Sequence, residues 1–154
     1  MYLSGFYEWK DRDHADKWLL FEENMGPYLS IDETSLSDDE LYTIVTNKEA
    51  KGRKGSIVAI VRGTKAEDVI EVLLRIKKGL RHKVKEVTLD MAANMSVIVS
   101  CCFGKASQVT DRFHVQKLAC DALQDMRIAL RWQAIEQENK EMALAKESDE
   151  SYVA

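Results

Sequence analysis

The chain is expected to fold as an α/β domain built on one mixed sheet, and three observations lead there. Strand-like runs come first, at 28–33, 41–46 and 56–61. Helix-like and strand-like runs then alternate, which gives the order β-β-β-α-β-α-β-α. The composition supports a packed core: 45% hydrophobic and 31% charged residues, one proline and seven glycines in 154 residues.

The elements follow in order. Residues 7–25 read as a helical lead-in, with Trp18, Leu19 and Phe21 among Asp13, Asp16, Glu22 and Glu23. Gly26-Pro27 punctuates the chain, and Tyr28-Leu29-Ser30-Ile31 opens the first strand, which ends on Asp32-Glu33. Residues 35–39 read as a polar turn. Leu41-Tyr42-Thr43-Ile44-Val45-Thr46 has high β-propensity throughout. A basic loop, Asn47 to Lys54, joins it to Ser56-Ile57-Val58-Ala59-Ile60-Val61, and the two runs form an antiparallel hairpin closed by Gly63.

Thr64 is expected to cap a helix, with Glu67 at the capping-box spacing. Val69, Val72, Leu73, Ile76 and Leu80 mark its buried face and Gly79 its end. The fourth strand runs over 84–89 and ends on Asp90. A helix from Met91 to Cys102 follows and is closed by Phe103-Gly104-Lys105. The fifth strand spans 106–110 and ends on Asp111. A last helix starts near Arg112, with Val115, Leu118, Ala119, Ala122, Leu123, Met126, Ala129 and Leu130 as its apolar stripe, and reaches Glu136. Three regions are therefore expected: a lead-in over 1–27, the α/β core over 28–137, and a charged tail over 138–154 that frays at its end.

Short connections and right-handed crossovers leave few ways to wind this order. The economical sheet places the fourth strand parallel to the first. Asp32 and Asp90 then meet at the carboxyl ends, where open α/β sheets bind ligands. Two close carboxylates repel unless a cation joins them, and hard oxygen donors suit Mg²⁺ or Mn²⁺. The bland alternative is that both acids cap the turns that follow them. Glu33 alternates away from Asp32 and reads as structural. Asp111 reads as a helix cap, or as a third nearby carboxylate. His114 is a local packing residue or a contact to phosphate.

Charge is segregated. Residues 1–47 carry net −8, residues 48–85 net +8 and residues 86–154 net −4. The cationic third is either a solvated surface or a contact zone for a phosphate backbone. Lys51, Arg53 and Lys54 lie in its loop, and Gly52-Arg53-Lys54-Gly55 precedes a strand rather than a helix, so it cannot act as a P-loop. Cys101, Cys102 and Cys120 match neither a disulfide framework nor a zinc spacing. No apolar run approaches the ~20 residues of a membrane span, and the start lacks a signal peptide, so the cytoplasm is the expected compartment.

Ile31-Asp32-Glu33, Thr88-Leu89-Asp90 and Asp111-Arg112-Phe113-His114-Val115, in this order, resemble the motifs of insertion-sequence DDE transposases, and most closely the ISL-three branch. The resemblance covers about 28–135. It implies a ribonuclease H-like fold with a five-stranded mixed sheet, and DNA cleavage and strand transfer with two divalent metal ions. It implies Asp32 and Asp90 as catalytic acids and Mg²⁺ (or Mn²⁺) ligands, transposon ends and target DNA as partners, and a homo-oligomer in the intact protein. The family's third acid lies beyond the last motif. Glu136, Glu138 and Glu141 are candidates by residue type, and no motif selects among them. The chain is accordingly expected to be a fragment. Rival readings keep the fold as a metal-dependent nuclease or resolvase, or make the chain a non-catalytic DNA-binding remnant.

Overall fold

The computed structural model describes residues 9–37 and 40–147. The chain divides into two compact units, Met1–Asp111 and Arg112–Ala154. The first holds six strands: β1 (Trp18–Leu20), β2 (Tyr28–Ser37), β3 (Glu40–Asn47), β4 (Ile57–Arg62), β5 (Glu86–Leu89) and β6 (Ser107–Thr110). It also holds the helices α1 (Ala66–Leu74), α2 (Lys78–Arg81) and α3 (Ala93–Cys102). The second unit is one long helix, α4 (Arg112–Glu147).

The strands form a single mixed sheet in the order β1-β4-β3-β2-β5-β6. β2, β3 and β4 are joined antiparallel in sequence, and β5 and β6 add in parallel on the other side of β2. The expected neighbours, strand 28–33 beside strand 84–89, are thus found side by side and parallel. The sheet has one strand more than the expected five. Trp18-Leu19-Leu20, taken as part of a helix over 7–25, pairs antiparallel with Val61-Ile60-Ala59. These three apolar residues are contiguous and follow a polar run of turns over 10–17, so no helical face is available to them, whereas an edge of β4 is. Residues 7–8 of that expected helix lie outside the described residues.

Strand alternation and helix periodicity put the core on one side of the sheet. Leu29 and Ile31 of β2, Val45 of β3, Val58 and Val61 of β4, and Val87 and Leu89 of β5 are buried. They meet Val69, Val72 and Leu73 of α1 and Met95, Ile98, Val99 and Cys102 of α3. In α3 these four fall at i, i+3, i+4 and i+7, so core packing overrides the poor helix propensity of Val97-Ile98-Val99. Each fully buried Ile or Leu contributes roughly 1.5–3 kcal/mol. The opposite face of β2 carries Ser30, Asp32 and Thr34.

Three local expectations differ. The first strand does not turn at Ser35 but runs to Ser37 through an irregularity between Ser35 and Ser37, while 38–39 lie outside the described residues. Thr64 does not cap α1, whose N-cap is Lys65 and has no side-chain bond; the Thr64 carbonyl instead accepts from Asn94. The helix expected to end at Gly79 stops at Leu74, and Gly79 lies inside the short α2. The predicted buried face survives this break, because Ile76 remains buried and Leu80 packs against the core. Arg81 is partly buried and spans the junction, donating from Nε to the Ile76 carbonyl (3.1 Å) and from Nη1 to the Cys102 carbonyl (2.9 Å).

Helix α4 runs eleven residues past Glu136, through the stretch expected to be a charged tail. Charge does not end it, because the charges are placed at i, i+4. Glu136 pairs with Lys140 at 3.0 Å, and Gln137 donates to Glu141 at 3.0 Å. Its apolar residues Val115, Leu118, Leu123, Met126 and Leu130 are exposed. The end of the expected tail, 148–154, lies outside the described residues. Among the described residues no helix is long and apolar enough to cross a membrane.

Candidate active site at the carboxyl ends of the parallel strands

The parallel registers align the acids singled out from the sequence. Tyr28, Leu29 and Ser30 of β2 oppose Glu86, Val87 and Thr88 of β5. Two residues further on, the same register sets Asp90 level with Asp32. Glu86 to Leu89 of β5 oppose Ser107 to Thr110 of β6, so the next step sets Asp111 level with Asp90. The backbone carries the register that far, because the Asp111 N–H donates to the Leu89 carbonyl at 2.8 Å. By extension of these registers the three aspartates form a row, with Asp90 and Asp111 just past the ends of β5 and β6 and Asp32 within β2, paired with Ile44 of β3.

The side chains are held separately. Asp32 is exposed, and its Oδ1 accepts from the Glu33 N–H at 2.9 Å. It lines a cleft of about 330 Å³ with Ser30, Thr34, Ile44 and Thr46. The Asp90 Oδ1 accepts from the Ala92 N–H at 2.9 Å, an Asx-type turn that leads into α3. Asp90 lines another cleft, of about 280 Å³, with Ser96, Gln108 and Thr110. Among the described residues no three or more His, Cys, Asp or Glu side chains are grouped to hold a metal ion. The row thus supplies hard oxygen donors on neighbouring strands, and each of the two central acids also has a local backbone partner.

Glu33 points to the helix-covered side, as alternation requires, and its Oε1 accepts from Asn94 Nδ2 at 2.9 Å. Asn94 was not singled out from the sequence. Its partner Glu33 is 61 positions away, and an Asn in a first helical turn carries no signal of its own. Lys48 was also missed as an individual: its ammonium reaches Glu86 (3.0 Å) and Thr88 (2.7 Å) of β5. His114 belongs to α4, where its ring meets that of Phe113 edge-on at 5.8 Å between centroids.

The basic loop lies at the other edge of the sheet. Asn47 opposes Leu29, so Lys51, Arg53 and Lys54 lie beyond the start of β2, whereas Asp90 and Asp111 follow the ends of β5 and β6 and Asp32 lies within β2. All three are exposed. Lys51 and Gly52 adopt left-handed backbone conformations (φ 50° and 74°), which turn the loop sharply. Much of the remaining cationic block has structural partners: Arg62 with Glu40, Arg75 with Glu71, Lys77 with Glu22 and Arg81 with two carbonyls.

A mixed α/β sheet carries these acids, Asp32 within β2 and Asp90 and Asp111 just past β5 and β6. The comparison with protein families gives the family. Residues 29–149 match the model of the ISL-three family of DDE transposases, described as “Transposase”, and the chain belongs to that family. Among curated proteins, none matches the chain.

Proposed function

We propose that this transposase-family chain provides a ribonuclease H-like catalytic core for DNA cleavage and strand transfer, with Asp32 and Asp90 as a pair of ligands for Mg²⁺ or Mn²⁺. The observation that carries the reading is the parallel β2–β5 register, whose continuation two residues past Ser30–Thr88 would bring Asp32 level with Asp90. The residues fit such an ion by donor chemistry, being two carboxylates on hydrogen-bonded neighbours at the sheet's ligand-binding edge. When bound, divalent ions would activate the attacking oxygen and neutralise charge on the leaving one. The chain's own part is to hold the two acids in place. The Glu33 N–H donates to one carboxylate oxygen of Asp32, and the Ala92 N–H donates to one of Asp90. Asp111, level with Asp90, is an auxiliary acid in this reading. His114 is an auxiliary group for phosphate.

The DNA backbone is assigned to Lys51, Arg53 and Lys54, whose exposure on a glycine-bearing loop suits sequence-independent phosphate contacts. The same loop also favours a second reading, in which the chain binds DNA without catalysis. Salt-dependent DNA binding that ignores Mg²⁺ would favour this second reading.

The deciding experiment is a Mn²⁺ titration followed by backbone amide NMR, with Asp32→Asn and Asp90→Asn as controls. The expected result is paramagnetic broadening centred on 31–34 and 89–92 that is lost in both variants. Broadening that is absent there, or scattered over other acidic segments, would rule out the paired site.

A further inference from the structure

We infer that Glu33 and Asn94 form a positioning pair for the Asp32–Asp90 site, with Glu33 serving as an anchor rather than as a third ligand; this rests on the metal-site reading above. Adjacent acids such as Asp32-Glu33 invite the opposite assignment, in which both carboxylates share one ion. Strand geometry opposes it, because successive side chains leave opposite faces of a sheet. Asp32 lines the open-face cleft beside Ser30 and Thr34, whereas the Glu33 carboxylate accepts from Asn94 Nδ2 at 2.9 Å on the helix side.

The Asn94 amide has a second bond, to the Thr64 carbonyl at 3.1 Å. It therefore ties three segments together: strand β2, the β4–α1 connection and the first turn of α3. The two bonds lie at the ends of the segments that carry the candidate ligands. Glu33 follows Asp32 directly, and its own N–H holds the Asp32 carboxylate. Asn94 lies four residues after Asp90, across the turn that the Asp90–Ala92 bond closes. The order of contacts is continuous: Asp32 carboxylate, Glu33 backbone, Glu33 side chain, Asn94 amide, α3 first turn, Asp90. Hydrogen bonds to a carboxylate are the stronger kind, and both Asn94 bonds are partly buried. The pair thus fixes the Asp90 turn against the Asp32 strand beyond the point where the β2–β5 ladder ends at Ser30–Thr88.

The test compares Mn²⁺ midpoints, read from amide broadening at 31–34 and 89–92, across four proteins. Glu33→Gln keeps an oxygen acceptor for Asn94 and removes the charge, so the midpoint is expected to stay within about twofold of wild type. Asn94→Ala removes the clamp and is expected to weaken binding by about 10-fold or more, the usual effect of losing a group that orients a ligand. Asn94→Leu keeps the bulk of the side chain and removes both donations, and is expected to weaken binding to a similar extent. It also serves as the test if Asn94→Ala fails to fold. Loss of broadening in Glu33→Gln would make Glu33 a ligand and overturn the assignment. An unchanged midpoint in Asn94→Ala would do the same, as would an unchanged midpoint in Asn94→Leu. Wild-type protein without broadening at these residues would instead refute the metal site, and the positioning role with it.

Discussion

Asp90 combines a turn bond with the ligand role proposed above, and a single substitution confuses the two. Its Oδ1 accepts the Ala92 N–H at the entrance to α3, so its removal costs stability whether or not a metal binds. Asn accepts the same bond about as well as Asp, whereas Ala cannot, and the loss of such a side-chain acceptor costs ~1 kcal/mol. Without divalent metal, Asp90→Asn is expected to unfold within about 0.5 kcal/mol of wild type and Asp90→Ala about 1 kcal/mol below it. A ligand that binds only the native state adds stability by mass action, about 2.7 kcal/mol at one hundred times its dissociation constant. Wild type in saturating Mn²⁺ should therefore gain roughly that amount, and both variants should gain little of it. The assay is urea unfolding followed by tryptophan fluorescence, with and without Mn²⁺. Equal losses in the two variants without metal would refute the turn bond as the structural role. Full Mn²⁺ stabilisation retained by Asp90→Asn would refute the ligand role and leave the turn as the whole function of this acid.

Other perturbations test the frame around the site. A Cβ on Gly26 would fall 2.6 Å from Asn47 Oδ1, and the Asn47 side chain accepts from the Glu49 N–H and donates to the Asn24 carbonyl. Gly26→Ala should thus cost about 2 kcal/mol by displacing both bonds, and urea unfolding should find that cost nearly abolished in an Asn47→Ala background. Arg81→Ala strips a partner from the Ile76 and Cys102 carbonyls and should lower stability by about 2–3 kcal/mol, with Arg81→Lys recovering only part of it, as measured by the same assay. Burial pushes the Cys102 thiol up to about 11, while Cys101 and Cys120 are exposed. Ellman's reagent at pH 8 should therefore label two thiols quickly and the third only on unfolding. His82 is lowered, first by desolvation and then by Lys105, Lys78 and Arg81. Its folded form resists protonation, so its contribution is present above pH ~6.5 and is lost as pH falls through the folded value. A stability profile of His82→Gln should be flatter than that of wild type below pH 6.5.

The sequence revealed those features that depend on local pattern and on few topological choices. Three hairpin-linked strands followed by α/β units constrain the sheet strongly, and so β2 and β5 could be paired before any coordinates. Asp32 and Asp90 stood out because each follows a recognisable apolar run, whereas Asp111 follows the polar Ser107-Gln108-Val109-Thr110 and read more readily as a helix cap. Helix α3 was also legible, because Met95, Ile98, Val99 and Cys102 keep helical spacing in spite of their β-branched neighbours. Strand β1 was not legible: its three residues are too few to show a period of two, and what orders them is the edge of β4, some forty residues away. The break after Leu74 escaped notice because the apolar spacing continues unbroken to Leu80, and periodicity reports the buried face rather than the hydrogen bonds within it.

The site divides along the same line, and this division says where its specificity is made. Asp90 and Asp111 directly follow strands, and a strand end can be read locally, whereas Asp32 lies within β2, which runs on to Ser37. Their mutual placement comes from bonds between remote segments: Glu33 to Asn94 across 61 positions and Thr64 to Asn94 across 30. A register alone aligns backbones to the nearest residue, whereas metal ligation needs carboxylates fixed to fractions of an ångström. The ladder pairs β2 with β5 up to Ser30–Thr88, and Asp32 and Asp90 line separate clefts. In the proposed site Asn94, tied to Glu33 and Thr64, limits movement of the turn after Asp90. The clamp should for that reason weigh more on metal affinity than on stability. Asn94→Ala would show this by a Mn²⁺ midpoint displaced far more than its unfolding midpoint, and comparable displacement of both would reduce Asn94 to an ordinary structural contact.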